Sequence, residues 1–405
     1  MSFLDKPRQT LPVLFLVLAI GYNVPVKSQD TLQQVERFIL PLVFYTPETT
    51  WSFGLAGVMT FPIDSLSPRS QLQLGAAYTL QKQLLFYLPF QLYWQRDRRR
   101  FTGELGYYRY NYFFYGVGNE FADYAGELYG VNFPRVRVNA LWRTGRRHLT
   151  GLRYAWDYWQ VYDQEVGGLL LEQEEVVGRE RSVYSALGAV WQWDSRDHIF
   201  FPRSGSWLEL AVLNSNEVLG ATQNFIKWSI DARTYWNPKN DRIWAAQLYV
   251  EGNTGSPPFN QLALLGGTRL LRGYYEGRFR DRQLSASQIE YRFPIKGRFG
   301  AVLSGGIGSV TDNWASWQGS YIRYALGGGL RFILLPEDQI RLRLDYGIGP
   351  NSSAFYLTVG ADCRAPTLAG IIRMSVLRRR IDKGFCQCAI FPTVQLVFTI
   401  WLTLA

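Results

Sequence analysis

Apolar and polar side chains alternate along this chain, in run after run. In QIRLRLDYGIG, Ile340, Leu342, Leu344, Tyr346 and Ile348 share one face, while Arg341, Arg343, Asp345 and Gly347 share the other. In FIKWSIDARTYW, Ile226, Trp228, Ile230 and Ala232 oppose Lys227, Ser229, Asp231 and Arg233. The same pattern sets Leu152, Tyr154, Trp156 and Tyr158 against Arg153, Ala155 and Asp157, and Ile289, Tyr291 and Phe293 against Gln288, Glu290 and Arg292. A period of two is the geometry of a β-strand with one apolar and one polar face.

Alternation alone does not say which face looks outward. A soluble sandwich or propeller buries the apolar face, whereas a membrane barrel turns it to lipid and keeps its charges in the lumen. Strand length separates the two. Runs such as residues 101–115 and 223–236 match the ~9–11 residues or more of a strand crossing a bilayer, against about 5–6 in soluble sheets. The 25 Tyr, 25 Phe and 14 Trp suit aromatic girdles at two membrane interfaces. Between residues 30 and 360 no apolar run approaches the ~20 residues of a membrane helix. The expected fold is therefore all-β, an antiparallel transmembrane β-barrel. At roughly 20 residues per strand and connection, residues 29–360 hold about 16 strands, an even number. The outline starts with strands at 41–46, 51–61, 71–81 and 84–96 and finishes with 340–349 and 353–360, with turns at Asn237 and Pro238 and at 336–338.

The ends read differently. Lys6 and Arg8 precede an apolar run over residues 11–22, and Val26 and Ser28 offer small residues for cleavage, so residues 1–28 are expected to be a signal peptide. Residues 361–405 lose the alternation, contain no Tyr, and hold Cys363, Cys386 and Cys388 together with a basic cluster at Arg378, Arg379 and Arg380. They read as an anchor or periplasmic tail, or, the favoured expectation, as an atypical end produced by a shifted reading frame after Gly360. The two ends also carry much of the formal charge of +10, leaving +4 on residues 29–360. No basic stripe calls for nucleic acid.

Signatures of catalysis are missing. His148 and His198 are far apart, and no H-E-x-x-H, G-x-S-x-G or Walker sequence occurs. No catalytic residue, metal site or cofactor is predicted, and the chain does not read as an enzyme. The glycines of AVLSGGIGSV, at Gly305, Gly306 and Gly308, read as a strand that another segment approaches closely.

Two segments remain to be explained. One is GGTRLLRGYYEGRFRD, residues 266–281, a glycine-, arginine- and aromatic-rich stretch between two strand patterns. The other is DSRDHIFFPRSGSWLEL from Asp194, in which Asp194, Arg196 and Asp197 end one strand and Pro202 and Gly205 turn the chain into the next. Together with IEYRFPI from Ile289 and RLRLDYGIG from Arg341, they make the chain resemble the barrel of the BamA/TamA family of outer-membrane assembly proteins, the bacterial surface antigens. Two-partner secretion transporters are the cousins of that family. The resemblance covers roughly residues 36–360 and is carried by the ordered set: Asp194, Arg196, Asp197, Pro202 and Gly205; Gly266 and Gly267; and Leu271, Arg272, Gly273 and Tyr274.

The resemblance implies that residues 260–282 form a long extracellular loop between strands 11 and 12, folded back into the lumen with Arg272 held by acidic groups of the wall. A guanidinium confined in a lumen needs carboxylates in fork geometry. Glu290 and Asp345, on polar faces, are the candidate partners. Gly273 would admit close packing and Tyr274 would lie on the wall. The resemblance further implies an outer-membrane location, outer-membrane lipid and lipopolysaccharide as surroundings, and assistance in inserting or translocating proteins or lipids, with client outer-membrane proteins and separate periplasmic partners. The family's periplasmic POTRA repeats do not appear, and Gly305 or Gly306 stands where an acidic residue is expected. A passive porin-like channel plugged by the same loop is the alternative.

Overall fold

The computed structural model describes residues 35–360, apart from 47–49, 122, 175, 200, 240 and 336–339, together with 373–377. The expected signal peptide, the turn at 336–338 and all three cysteines lie outside the described residues.

The strands are β1 (Glu36–Thr46), β2 (Thr50–Phe61), β3 (Ser70–Thr79), β4 (Leu84–Trp94), β5 (Arg99–Phe114), β6 (Glu127–Arg143), β7 (His148–Asp163), β8 (Arg181–Asp194), β9 (Gly205–Ser215), β10 (Phe225–Lys239) and β11 (Arg242–Gly255). Two short strands follow, β12 (Ala263–Leu265) and β13 (Phe279–Asp281). The series resumes with β14 (Gln283–Lys296), β15 (Phe299–Thr311), β16 (Arg323–Leu335), β17 (Ile340–Gly349) and β18 (Ser352–Gly360), and ends with β19 (Arg373–Leu377). From β1 to β11, and from β11 through β14 to β18, each strand pairs antiparallel with the next. These are the 16 antiparallel strands of a transmembrane β-barrel. β12 and β13 pair with each other as a small separate sheet.

Which face looks outward is settled by burial. Leu248, Ile289, Leu303, Ile307, Leu326, Tyr346 and Ile348 are exposed, while Asp231, Arg233, Glu290, Arg292, Arg331, Arg343 and Asp345 are buried. This inverts the order of a soluble β-protein and is the arrangement of a barrel with lipid outside and a polar lumen. The 16 barrel strands run from 9 residues in β18 to 17 in β6, enough for tilted membrane strands. Among the described residues no helix is long and apolar enough to cross a membrane.

Two details differ from the sequence expectation. Asn237 and Pro238 lie inside β10, at a register shift between Trp236 and Lys239 where the hairpin to β11 bulges. Proline is tolerated there because a bulge leaves a residue out of the hydrogen-bonded ladder. The C-terminal stretch also contributes to the sheet: β19 pairs antiparallel with β18, Arg373 opposite Tyr356 and Leu377 opposite Ser352.

The lumen is filled rather than open. Tyr108, Tyr110, Phe114, Tyr129, Phe133 and Trp159 cluster there around Phe259, which enters from the loop after β11. Ring pairs such as Phe133 with Trp159, centroids 4.4 Å apart, and Phe114 with Phe259, 5.8 Å and nearly perpendicular, show aromatic packing at normal separations. A second cluster joins Leu265, Leu270, Leu271, Tyr274 and Phe279 of the loop to Tyr249, Leu284, Ala286, Val310 and Ala325 of the wall.

Candidate functional site: a lumenal loop clasped to the barrel wall

The loop between β11 and β14 doubles back on itself through the β12–β13 hairpin. Gly266 sits at φ +112, and a side chain there would collide with the Tyr275 carbonyl oxygen. The N–H of Gly267 donates to the Tyr274 carbonyl at 2.9 Å, and that of Gly277 to the Leu265 carbonyl at 3.0 Å. Gly273 is also left-handed, at φ +118. Leu271, at φ 54, takes the same region without being glycine. Such a residue persists only where surrounding contacts over-determine it. Here the Leu271 side chain is buried against β15, its Cδ1 lying where a Cβ on Gly306 would be crowded at 3.2 Å.

These left-handed turns aim Arg272 into the wall. Its Nη2 bonds Glu290 Oε1 of β14, and its Nη1 lies 3.7 Å from Asp345 Oδ1 of β17. Each carboxylate serves more than one cation. Arg292 donates to Glu290 Oε2 from Nε at 2.9 Å and from Nη2 at 2.7 Å. Arg331 Nη2 stands 2.8 Å from Asp345 Oδ1, and Arg343 Nη2 stands 3.6 Å from Oδ2. All six side chains are 7% exposed or less. Four guanidiniums on two carboxylates form a network in which each carboxylate bridges strands and loop, the geometry planar guanidinium forks suit.

Hydrogen bonds to the last barrel strands complete the clasp. The Tyr356 hydroxyl on β18 accepts from the Gly273 N–H at 3.2 Å and donates to the Tyr274 carbonyl at 3.0 Å. Ser352 Oγ donates to the Gly273 carbonyl at 2.7 Å, and the Tyr274 hydroxyl donates to the Tyr324 carbonyl at 3.1 Å. Glycines make room for this contact. A Cβ on Gly347 would lie 2.5 Å from the Arg272 carbonyl carbon, and one on Gly349 would lie 2.5 Å from the Tyr274 ring. Tyr356, Ser352 and Tyr324 were not evident from the sequence, where they are ordinary members of alternating strands.

The β5–β6 loop holds the other side of the hairpin. The Gly118 N–H donates to the Arg280 carbonyl at 2.9 Å, and Arg278 Nη1 donates to the Tyr124 carbonyl at 2.6 Å while its guanidinium covers Tyr115 at 4.3 Å. Arg280 lies over Phe114 at 4.8 Å.

The second sequence motif closes the β8–β9 connection. Arg196 grips Asp194 in bidentate fashion, Nε to Oδ1 and Nη2 to Oδ2, both at 2.9 Å. Arg100 Nη1 reaches Asp194 Oδ2 at 3.1 Å. Asp197 does not join this pair; its Oδ1 accepts the N–H groups of His198 and Arg203 at 2.9 Å and of Ser204 at 3.2 Å, which shapes the turn. Pro202 is buried in that turn, and Gly205, at φ +93, passes where a side chain would strike the Ser195 carbonyl. The two motifs are linked across the lumen. Arg196 lies 5.8 Å and Arg233 5.1 Å from the Trp207 ring, Arg233 bonds Asp231 at 2.6 Å, and Asp231 lies 3.9 Å from Arg269 of the loop. Trp207, Asp231 and Arg233 are buried and had no signal in the sequence beyond their places on alternating faces.

The family model that matches this chain is the Omp85 superfamily domain, over residues 67–362. The chain belongs to the Omp85 superfamily. It is a bacterial outer-membrane β-barrel protein of the Omp85/BamA type. Among solved structures, the fold is similar to BamA from Haemophilus ducreyi lacking POTRA domains 1–3, with TM-score 0.51 and 13% identity over 84% of this chain and 72% of that one. It is similar as well to CdiB from Escherichia coli, with TM-score 0.50 and 12% identity over 88% of this chain. The chain spans 65% of that CdiB, less than two thirds of its length. No curated protein matches the chain in sequence. At these identities the structural likeness speaks for the fold.

Proposed function

We propose that this Omp85 barrel assists the insertion or translocation of proteins at the outer membrane, with residues 260–282 as a lumenal gate fastened by Arg272. In this reading the seam beside β18, whose outer edge β19 occupies, opens to offer unpaired backbone groups to a client strand, the strand-addition mode of recognition. Outer-membrane lipid and lipopolysaccharide surround the barrel, and separate periplasmic partners deliver clients. The reading assigns the barrel no catalysis.

The observation that carries the reading is the span of the clasp. One loop segment of three residues, Arg272 to Tyr274, is tied at once to β14 through Glu290, to β17 through Asp345 and to the last barrel strand through Tyr356. A loop so tied must break its hydrogen bonds to Tyr356 and Ser352 before it leaves the lumen, so its departure removes contacts that hold the inner face of β18. A plug that only blocked solute flow would need no attachment to the terminal strand.

The test is depletion of the protein in its own cell, with the folded fraction of other outer-membrane barrels as the readout. Accumulation of unfolded barrels is expected. Normal assembly of other barrels, together with a conductance that rises when residues 260–282 are deleted, would establish the plugged channel instead.

A further inference from the structure

The turns at the two ends of the barrel differ in charge. At the end away from the lumenal loop, Arg98, Arg99, Arg146, Arg147, Arg242 and Lys296 are exposed on or beside the β4–β5, β6–β7, β10–β11 and β14–β15 connections. At the loop end, Glu120, Asp123, Glu165, Glu172, Glu217 and Asp312 are exposed.

Cross-strand register places part of the basic rim among outward-facing aromatics. Arg99 stands directly between Trp94 and Trp142 in adjacent strands. Directly opposed residues share a face, and Trp142, 45% exposed, marks that face as the outer one. Arg242 stands two positions before Trp244, hence on the same face of β11. Trp244 pairs with Trp236, which is 64% exposed. The neighbouring Arg100 points the opposite way, into the lumen, where it meets Asp97 and Asp194.

We infer that this basic and aromatic rim binds the headgroups of anionic phospholipids in the adjoining leaflet. The tryptophans settle at the boundary between acyl chains and headgroups, which fixes the depth of the rim. Arginines on the outward face then extend their apolar stems along the barrel and bring their guanidiniums level with lipid phosphates. Arginine is suited to that contact, since its fork binds phosphate oxygens in pairs. A soluble acidic protein would meet cations that point away from the barrel end. Arg99 and Arg242 instead share the lipid-facing surface with tryptophans.

The experiment uses the full chain, folded in vesicles of equimolar phosphatidylglycerol and phosphatidylcholine and then extracted with mild detergent, with the retained lipid quantified by mass spectrometry. The wild type is expected to retain phosphatidylglycerol preferentially, and the preference should fade as salt is raised. In R99Q/R146Q/R147Q/R242Q the preference should be lost, at roughly five-fold for each surface cation removed, with heat-modifiable migration showing that the barrel still folds. The two-site variant R99Q/R242Q serves if the larger one does not fold, and should lose part of the preference. E120Q/D123N at the opposite end should leave it intact. Equal retention of the two lipids by the wild type would overturn the inference. So would an undiminished preference in either arginine variant, or capture of an acidic soluble protein without lipid preference.

Discussion

The Tyr356 hydroxyl on β18 donates to the Tyr274 carbonyl at 3.0 Å, and the same oxygen accepts the Gly273 N–H at 3.2 Å. One phenol thus satisfies two backbone groups of the loop at a buried site. Tyr356→Phe keeps the ring and removes both bonds. Leaving a buried backbone group without its partner costs about 1–3 kcal/mol. The expected result is a barrel that still migrates as folded, with a loop cleaved faster by added protease. Unchanged cleavage would show that the Tyr356 bonds do not hold the loop.

Arg272 anchors the loop by charge. Arg272→Ala leaves Glu290 with Arg292 and Asp345 with Arg331 and Arg343, so the expected loss is that of hydrogen bonds to charged groups, about 1.5–3 kcal/mol. Arg272→Lys should recover only part of this, because an ammonium cannot present two parallel donors to Glu290 and Asp345 together. Thermal unfolding of Arg272→Ala, Glu290→Gln and their combination checks the pairing. The combined loss should fall short of the sum of the single losses, since contacting residues couple.

How much of this was legible in the sequence follows from what is local. Alternation and run length fix strand identity and the polar side of each strand, so Glu290 and Asp345 could be named as lumenal carboxylates before any coordinates. Which of them lies near Arg272 depends on barrel closure and stagger, which no local pattern encodes. For the same reason the Arg196–Trp207–Arg233–Asp231–Arg269 chain was hidden. Its members sit on four different elements, and Trp207, Asp231 and Arg233 look like any other buried residues of alternating strands. Tyr356 was read only as part of the closing strand. Asn237 and Pro238 were read as a turn because that dipeptide signals one locally, whereas the hairpin bulges and continues the strand past them.

Gly347 tests the fit of the loop without touching any charge. A methyl there would lie 2.5 Å from the Arg272 carbonyl carbon, a separation backbone atoms do not tolerate, so Gly347→Ala must displace the loop or the strand. Overpacking of this kind typically costs about 1–3 kcal/mol. The expected result is a loop exposed to protease and a higher single-channel conductance in planar bilayers. Gly297→Ala, with nothing within 4 Å of its Cβ, is the control at the far turn, although its φ of +57 adds a small backbone strain. Equal conductance in wild type and Gly347→Ala would place the barrier to flow elsewhere in the lumen.

The Asp281 carboxyl gives the loop a pH dependence. Burial pushes it up to about 6 against the hydrogen bond from the Arg282 N–H, and the Asp312 carboxylate adds to the rise. A carboxyl raised in the folded state favours the folded state when it is protonated. Its contribution is complete below the ordinary aspartate range near 3.8, declines as pH rises, and is lost above about 6. The difference amounts to about 3 kcal/mol at most. The loop is therefore expected to resist protease best in mild acid and to loosen toward neutral pH. Asp281→Asn stays neutral at every pH and should hold the resistance of the acid form throughout. Identical pH profiles for wild type and Asp281→Asn would assign the dependence to another group.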